Sequence, residues 1–349
     1  MTTEAVGAPV RGARSSWGTR LVLLCLPLIG IGAAIGVVEG AFRLLYQPPV
    51  VWNDRPAEYY IPEGATFLTD RDYPAVKAPG TFRIAVVGDS FSFGPYLQYD
   101  DTFAKRLERW LNLNRDERPV EVINYGVPRY STSHEVAVTE KALAAGADLV
   151  LLQITLNDPE IKPYRPTSLI VDEETGQSRL ESGVYRHWRS LAWVRTRLEN
   201  AESHRRYVRY FFRLFENRRT WENFRSPLGG IVGRCRKAGV PIVAVVFPLF
   251  GHPVNEEYPF RPIHEKVAGL LESLAVPHLD LTDAYRDMPL DRLQVIPIAD
   301  RHPNEIGHRI AAEQILIWLR GLALLPEGVF PRFVVPNRIG TEPPAGIGR

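Results

Sequence analysis

Four short polar segments carry residues able to do chemistry, and each stands where an apolar run ends or a helical pattern begins. Asp300-Arg301-His302-Pro303-Asn304 places a histidine in a loop with a carboxylate two residues earlier. An imidazole is suited to proton transfer near neutral pH, and a carboxylate fixes its tautomer and stabilises its charged form. Gly88-Asp89-Ser90-Phe91 places a serine at the end of an apolar run, where its hydroxyl can project and its own N–H can help to bind an oxyanion. Asn124-Tyr125-Gly126 offers a backbone N–H that the missing side chain would let approach a substrate oxygen. Asn157-Asp158 offers a side-chain amide as a further donor. Taken singly, these segments also read as a capped turn, a turn and an Asx turn. Together, in this order, they supply a nucleophile, a base, a carboxylate and preorganised donors. Asp89 and Asp158, beside the serine and the asparagine, are the supporting polar residues.

The elements that must position these groups alternate in kind. Arg83–Gly88, Val120–Asn124, Asp148–Thr155, Val240–Phe247 and His278–Leu281 read as strands, mostly apolar as expected of strands covered on both faces. Asp101–Leu113, Ser133–Ala145, a segment around Gly230–Lys237, Ile263–Leu274 and Pro303–Leu319 read as helices between and after them. Such alternation predicts a parallel sheet between helical layers, with the site at the carboxyl ends of the strands. The expected domain spans residues 79–325.

Residues 161–225 interrupt the alternation and are too long for a plain loop. Their second half is rich in arginine and aromatics, with Tyr207, Tyr210, Phe211 and Leu214 at helical spacing and Arg205, Arg206, Arg209 and Arg213 between them. This predicts a helical cap whose aromatic face packs on the domain while its arginines are solvated. A lid that touches anionic headgroups or an acidic polymer is the functional counterpart.

Near the N-terminus, Leu21 to Val38 is uncharged and mostly apolar, and Arg11, Arg14 and Arg20 precede it. A helix of that length spans roughly 27 Å, close to the hydrocarbon thickness of a bilayer. With no small-x-small cleavage signal after it, the run predicts an uncleaved single-pass anchor over residues 21–45. Arginines before the span predict a cytoplasmic tail, residues 1–20, with the remainder outside the cell membrane. Residues 46–78 form a Pro- and Tyr-rich connector, and 326–349 a Pro- and Gly-rich tail. Gly32, Gly36 and Gly40 repeat at the spacing that lets two membrane helices approach closely, the basis for a homodimer.

A net charge of +2 excludes the broad basic field of a nucleic-acid-coating protein. Cys25 and Cys235 offer neither a disulfide framework nor a zinc site. Ser92 stands where a Gly-x-Ser-x-Gly elbow needs glycine, and no phosphate loop occurs. His302 and His308 lack metal-helix spacing, so His308 is expected to pack or cap; His134, His187 and His252 are unassigned loop or surface residues. Neither a metal nor a cofactor is implied.

With these segments in view, the sequence resembles the SGNH/GDSL hydrolase superfamily, whose four blocks supply Ser, Gly, Asn and His in that order. They correspond to Ser90 in Gly88–Phe91, Gly126, Asn157 and His302. The resemblance implies an α/β fold, a three-layer α/β/α flavodoxin-like parallel sheet, and ester hydrolysis or acyl transfer through an acyl-enzyme. It implies that Ser90 attacks, that the Ser90 N–H, Gly126 N–H and Asn157 amide form the oxyanion hole, that His302 moves the proton and that Asp300 orients it. The sequence departs from the pattern at Thr155, where glycine is usual, and at Ala299, where the acid commonly stands. The expected substrate is an O-acyl ester, O-acetyl on cell-surface carbohydrate foremost, with an acyltransferase, a lipid esterase or thioesterase and a non-catalytic binding protein as alternatives.

Overall fold

A computed structural model describes residues 17–46, 73–74, 76–113, 119–162, 183–296 and 300–326. The tail before Trp17, most of the connector, Ala299 and the stretch beyond Pro326 lie outside the described residues. The chain forms two compact units, one of residues 1–51 and 167–203, the other of 52–166 and 204–349.

In the first unit, α1 (Trp17–Leu45) contains a candidate membrane span, Leu24–Leu45, whose two charged residues, Glu39 and Arg43, lie toward its end. The rest of this unit is helical where it is described, apart from Tyr46 and Trp188.

The second unit is built on five strands: β1 (Phe82–Gly88), β2 (Val120–Gly126), β3 (Leu149–Ile154), β4 (Ile242–Val246) and β5 (His278–Asp280). They lie in the order β2-β1-β3-β4-β5, and every neighbouring pair is parallel. This is the flavodoxin-like order, in which ligands bind where the order of strand addition reverses beside the first strand. All of β3 and β4 and nearly all of β1 are buried, which is why those runs carry almost no polar residue.

Crossover helices cover both faces. After the four-residue α2 (Ser90–Phe93), α3 (Phe103–Leu111) returns the chain to β2, and α4 (Thr132–Ala144) carries it across to β3. Then follow α5 (Gly183–His187), α6 (Arg189–Glu216), α7 (Arg218–Ala238), α8 (Arg261–Ser273) and α9 (Glu305–Gly321). Packing of α3 on α9 and of α4 on α7 makes the two helical layers, as right-handed crossovers on opposite sides of β1 require. The expected helix near Gly230–Lys237 begins earlier, at Arg218, where Asn217 caps it by accepting the N–H groups of Arg219 and Thr220. Thr102 rather than Asp101 caps α3, and Ser131 with His134 forms the capping box of α4. Tyr207, Phe211 and Leu214 of α6 are buried as their spacing predicted, while Arg205, Arg209 and Arg213 are exposed.

One small element was not expected: a hairpin of β6 (Gln294–Ile296) and β7 (Asp300–Pro303). His302 therefore sits on a short strand rather than in a loop.

Candidate active site

The setting of Ser90, the expected nucleophile, begins at Gly88. A Cβ built there would come within 2.3 Å of Gln153 Oε1 and 2.6 Å of Ser92 Oγ, so any larger residue would have to displace the side chains that hold this turn. Gln153, a polar residue in an otherwise apolar strand, accepts the Asp89 N–H at 3.1 Å and the Ser92 hydroxyl at 2.8 Å. Asp89 then caps α2, accepting the Phe91 N–H at 2.8 Å. Ser90 is thereby placed at the first position of α2 with its hydroxyl facing β7.

His302 meets it there. Its Nε2 lies 2.8 Å from Ser90 Oγ, and its Nδ1 lies 2.6 Å from Asp300 Oδ1, which also accepts the His302 backbone N–H at 2.9 Å. A carboxylate two residues before the histidine thus reaches the ring. Burial alone would raise the Asp300 carboxyl; the two hydrogen bonds from His302 and its charge outweigh it and bring the carboxyl below its usual value. Asn304 anchors the hairpin by accepting the N–H groups of Ile306 and Gly307 and donating its amide to the Arg292 and Gln294 carbonyls. Phe91 packs beside the imidazole, centroids 5.4 Å apart, and on Phe247 and Phe250.

On the other side of the serine, Thr155 occupies the position where the family pattern has glycine. Its hydroxyl lies 2.6 Å from Asp89 Oδ2 and 2.5 Å from Asn157 Oδ1, one proton shared between two acceptors. The contact holds the oxygen end of the Asn157 amide inward and turns its NH2 end outward. Neither that NH2 nor the Ser90 N–H has a hydrogen-bond partner among the described residues.

Gly126 is placed differently from the expectation. Its N–H donates to Asn124 Oδ1 at 3.0 Å instead of being open, while the Asn124 NH2 donates to the Ser92 carbonyl at 2.6 Å. The glycine is demanded by contact, since a Cβ there would lie 2.5 Å from Phe93 N and 2.7 Å from Ser92 Cβ. Asn124 and Gly126 thus lock β2 against α2.

Below these donors lie more carboxyls. Asp158 Oδ2 accepts the Thr155 N–H at 3.3 Å, but its other oxygen and both oxygens of Glu135 have no partner among the described residues. Burial, reinforced by the other acids including Asp89, pushes Glu135 and Asp158 well above the usual carboxylate range. Sequence reasoning missed Glu135 and Gln153, and marked Thr155 only as a departure from the family pattern.

Of the remaining histidines, His308 accepts the Phe103 N–H at 3.0 Å and stacks on that ring, so it packs and caps. Burial, with Arg106 and His302 nearby, lowers it to about 3. His252 is buried rather than on the surface, against His204. No cluster of three or more metal-binding side chains occurs among the described residues.

Comparison with curated proteins gives no match. Several solved structures are similar. The acetylxylan esterase Axe2 from Geobacillus stearothermophilus is 15% identical with a TM-score of 0.44, over 70% of this chain and 97% of that one. A member of the lipolytic G-D-S-L family from Veillonella parvula is 12% identical with a TM-score of 0.37, over 68% and 97%. A two-domain esterase active on acetylated mannans is 15% identical with a TM-score of 0.42, over 72% of this chain and 52% of that one. The sequence itself is decisive: residues 86–310, which run from β1 through the hairpin bearing His302 into α9, match the GDSL-like lipase/acylhydrolase family, and the chain belongs to that family of serine hydrolases.

Proposed function

We propose that this is a membrane-anchored serine esterase that removes a compact acyl group, acetyl foremost, from an oxygen ester, with cell-surface carbohydrate as the acyl carrier. The observation that carries the reading is the continuous line Ser90 Oγ–His302 Nε2–Asp300 Oδ1, with separations of 2.8 and 2.6 Å. Ser90 Oγ attacks the ester carbonyl as its proton passes to His302 Nε2, and the Asp300 carboxylate stabilises the imidazolium. The carbonyl oxygen, now negative, lies against the Ser90 N–H and the Asn157 NH2. Gly126, whose N–H is donated to Asn124 Oδ1, supports the site by letting β2 pack closely against α2. Collapse expels the alcohol, which takes the proton from His302. Water, or a sugar hydroxyl in the transferase variant of the reading, then releases the acyl group by the same steps in reverse.

The wall of Phe91, Phe247 and Phe250 beside a serine that is only 7% exposed supports a compact acyl group. Arginines before an apolar helix support an anchor with its catalytic part outside the cell. The same helix favours a lipid ester or thioester as the second substrate reading. Around Gly32, Gly36 and Gly40 an added Cβ meets nothing within 4 Å, which leaves room for pairing with a second copy.

The test is acetate release from p-nitrophenyl acetate by the full chain in detergent, beside Ser90→Ala and His302→Ala. Each variant is expected to lose activity by about 10⁶-fold, down to the reagent background, and Ser90→Ala to lose labelling by a fluorophosphonate. A folded parent protein with neither turnover nor label would refute the esterase and favour a binding protein that keeps the fold.

A further inference from the structure

We infer that residues 183–198, comprising α5 and the first turns of α6, lie in the surface of the bilayer and bind its anionic headgroups; the inference rests on α1 spanning that bilayer. The segment reads Gly-Val-Tyr-Arg-His-Trp-Arg-Ser-Leu-Ala-Trp-Val-Arg-Thr-Arg-Leu. It holds four arginines (Arg186, Arg189, Arg195 and Arg197) and no acid, with bulky apolar residues between them. That composition is the signature of a helix lying in a membrane interface.

The structure separates its two faces. One face is occupied by α1: Ala192 is buried, the Trp193 ring lies 5.2 Å from Phe42, and Thr196 Oγ1 lies 3.2 Å from the Tyr46 hydroxyl. Away from it, Leu191, Val194 and Leu198 recur at helical spacing and are 42%, 45% and 61% exposed. Trp188 and Val184 continue the exposed apolar surface into α5. Arg197 lies over the Trp193 ring at 4.9 Å, an arrangement suited to a cation at the boundary between apolar and polar layers.

What fixes this segment at the membrane surface is Glu39. Its carboxylate is buried and accepts the backbone N–H groups of Arg189 at 2.6 Å and Ser190 at 3.0 Å, together with the Ser190 hydroxyl at 2.7 Å. It therefore caps the N-terminus of α6 from a position on α1. Arg43, which also donates to Glu39 at 3.2 Å, donates to the His187 carbonyl at 2.6 Å and so closes the end of α5 as well. Leu21 to Val38 accounts for roughly 27 Å of hydrocarbon, which puts Glu39 and Arg43 at headgroup level. The stripe of Leu191, Val194 and Leu198 is thus held where acyl chains begin, and the four arginines where phosphates lie.

The experiment uses the full chain in vesicles of phosphatidylcholine and phosphatidylglycerol, in a Cys25→Ser background. An environment-sensitive fluorophore is attached in turn at Leu191→Cys, Leu198→Cys, Leu28→Cys within α1 and Glu272→Cys on the exposed side of α8. Probes at 191 and 198 are expected to shift to the blue and to be quenched by lipids brominated near the headgroup, while the probe at 272 stays water-like. Water-like emission at 191 and 198 with a bilayer signal at 28 would overturn the inference and leave the anchor standing. Water-like emission at 28 as well would remove the anchor, and the inference with it. Equal quenching at 191 and 198 in phosphatidylcholine alone would refute the anionic-headgroup part.

Discussion

Asp300 is partly buried and Glu135 and Asp158 fully buried near the same serine, and their surroundings drive them in opposite directions. Asp300 faces the His302 ring and N–H and is held in its charged form. Glu135 faces burial and another acid, and at Asp158 burial and the neighbouring acids outweigh the one hydrogen bond from the Thr155 N–H, so both are pushed toward the neutral form. One carboxyl lies against an imidazole; burial and neighbouring acids favour the neutral form in the other two. A carboxylate can serve an imidazolium only if its charge is already there when the proton arrives, whereas a group behind an oxyanion serves better uncharged, since a fixed negative charge would repel the developing one.

The sharpest way to break that comparison is Asp300→Asn, which keeps the shape and removes the charge. The ring can then be held in the wrong tautomer, and kcat is expected to fall by about 10⁴-fold, short of the loss in Ser90→Ala. Steady-state rates of p-nitrophenyl acetate turnover measure it. A drop of tenfold or less would show that this carboxyl contributes little more than the neutral pair.

On the donor side, Asn157→Ala removes one preorganised amide and leaves the proton path intact. Loss of a single oxyanion donor lowers kcat by about 10²–10³-fold with little change in KM. If KM rose instead and kcat held, Asn157 would be a ground-state binding group.

Much of this frame was legible because strands buried on both faces read as unbroken apolar runs, and their ends are where polar residues resume. The expectations for Ser90, Gly126 and Asn157 rested on that contrast. Gln153 carried a signal too, as the single polar residue in β3, but its partners Asp89 and Ser92 lie over sixty residues away in the chain. Thr155 stood out as a departure from the family pattern; that its hydroxyl holds Asn157 depends on a geometry that no spacing reveals. The early start of α7 was available in Trp221, Phe224, Leu228 and Ile231 at helical spacing, masked by the charged run around them. The β6–β7 hairpin, with strands of three and four residues, is too short to show any alternation. Glu135 gave the least warning. An acid in the first turn of a helix is ordinary on dipole grounds, and only the fold shows that this one has no solvent.

Glu135→Gln therefore tests the neutral half of the comparison, with the smallest expected effect. A carboxyl raised in the folded state and ordinary in the unfolded chain contributes its full stability below the unfolded value of about 4.3. As pH rises past that value the unfolded chain loses its proton first, and stability falls until the folded group ionises as well. Each pH unit in this window costs about 1.4 kcal/mol, roughly 3–6 °C of melting temperature for a domain of this size. The glutamine variant has no such proton to lose, so it should melt near the parent at pH 4 and above it at pH 8, with acetate release at pH 7 close to that of the parent. Thermal melts of both proteins across pH 4–9 decide the matter. Parallel profiles would mean that Glu135 is already charged in the fold, and that the acids beneath the donors are no different in kind from Asp300.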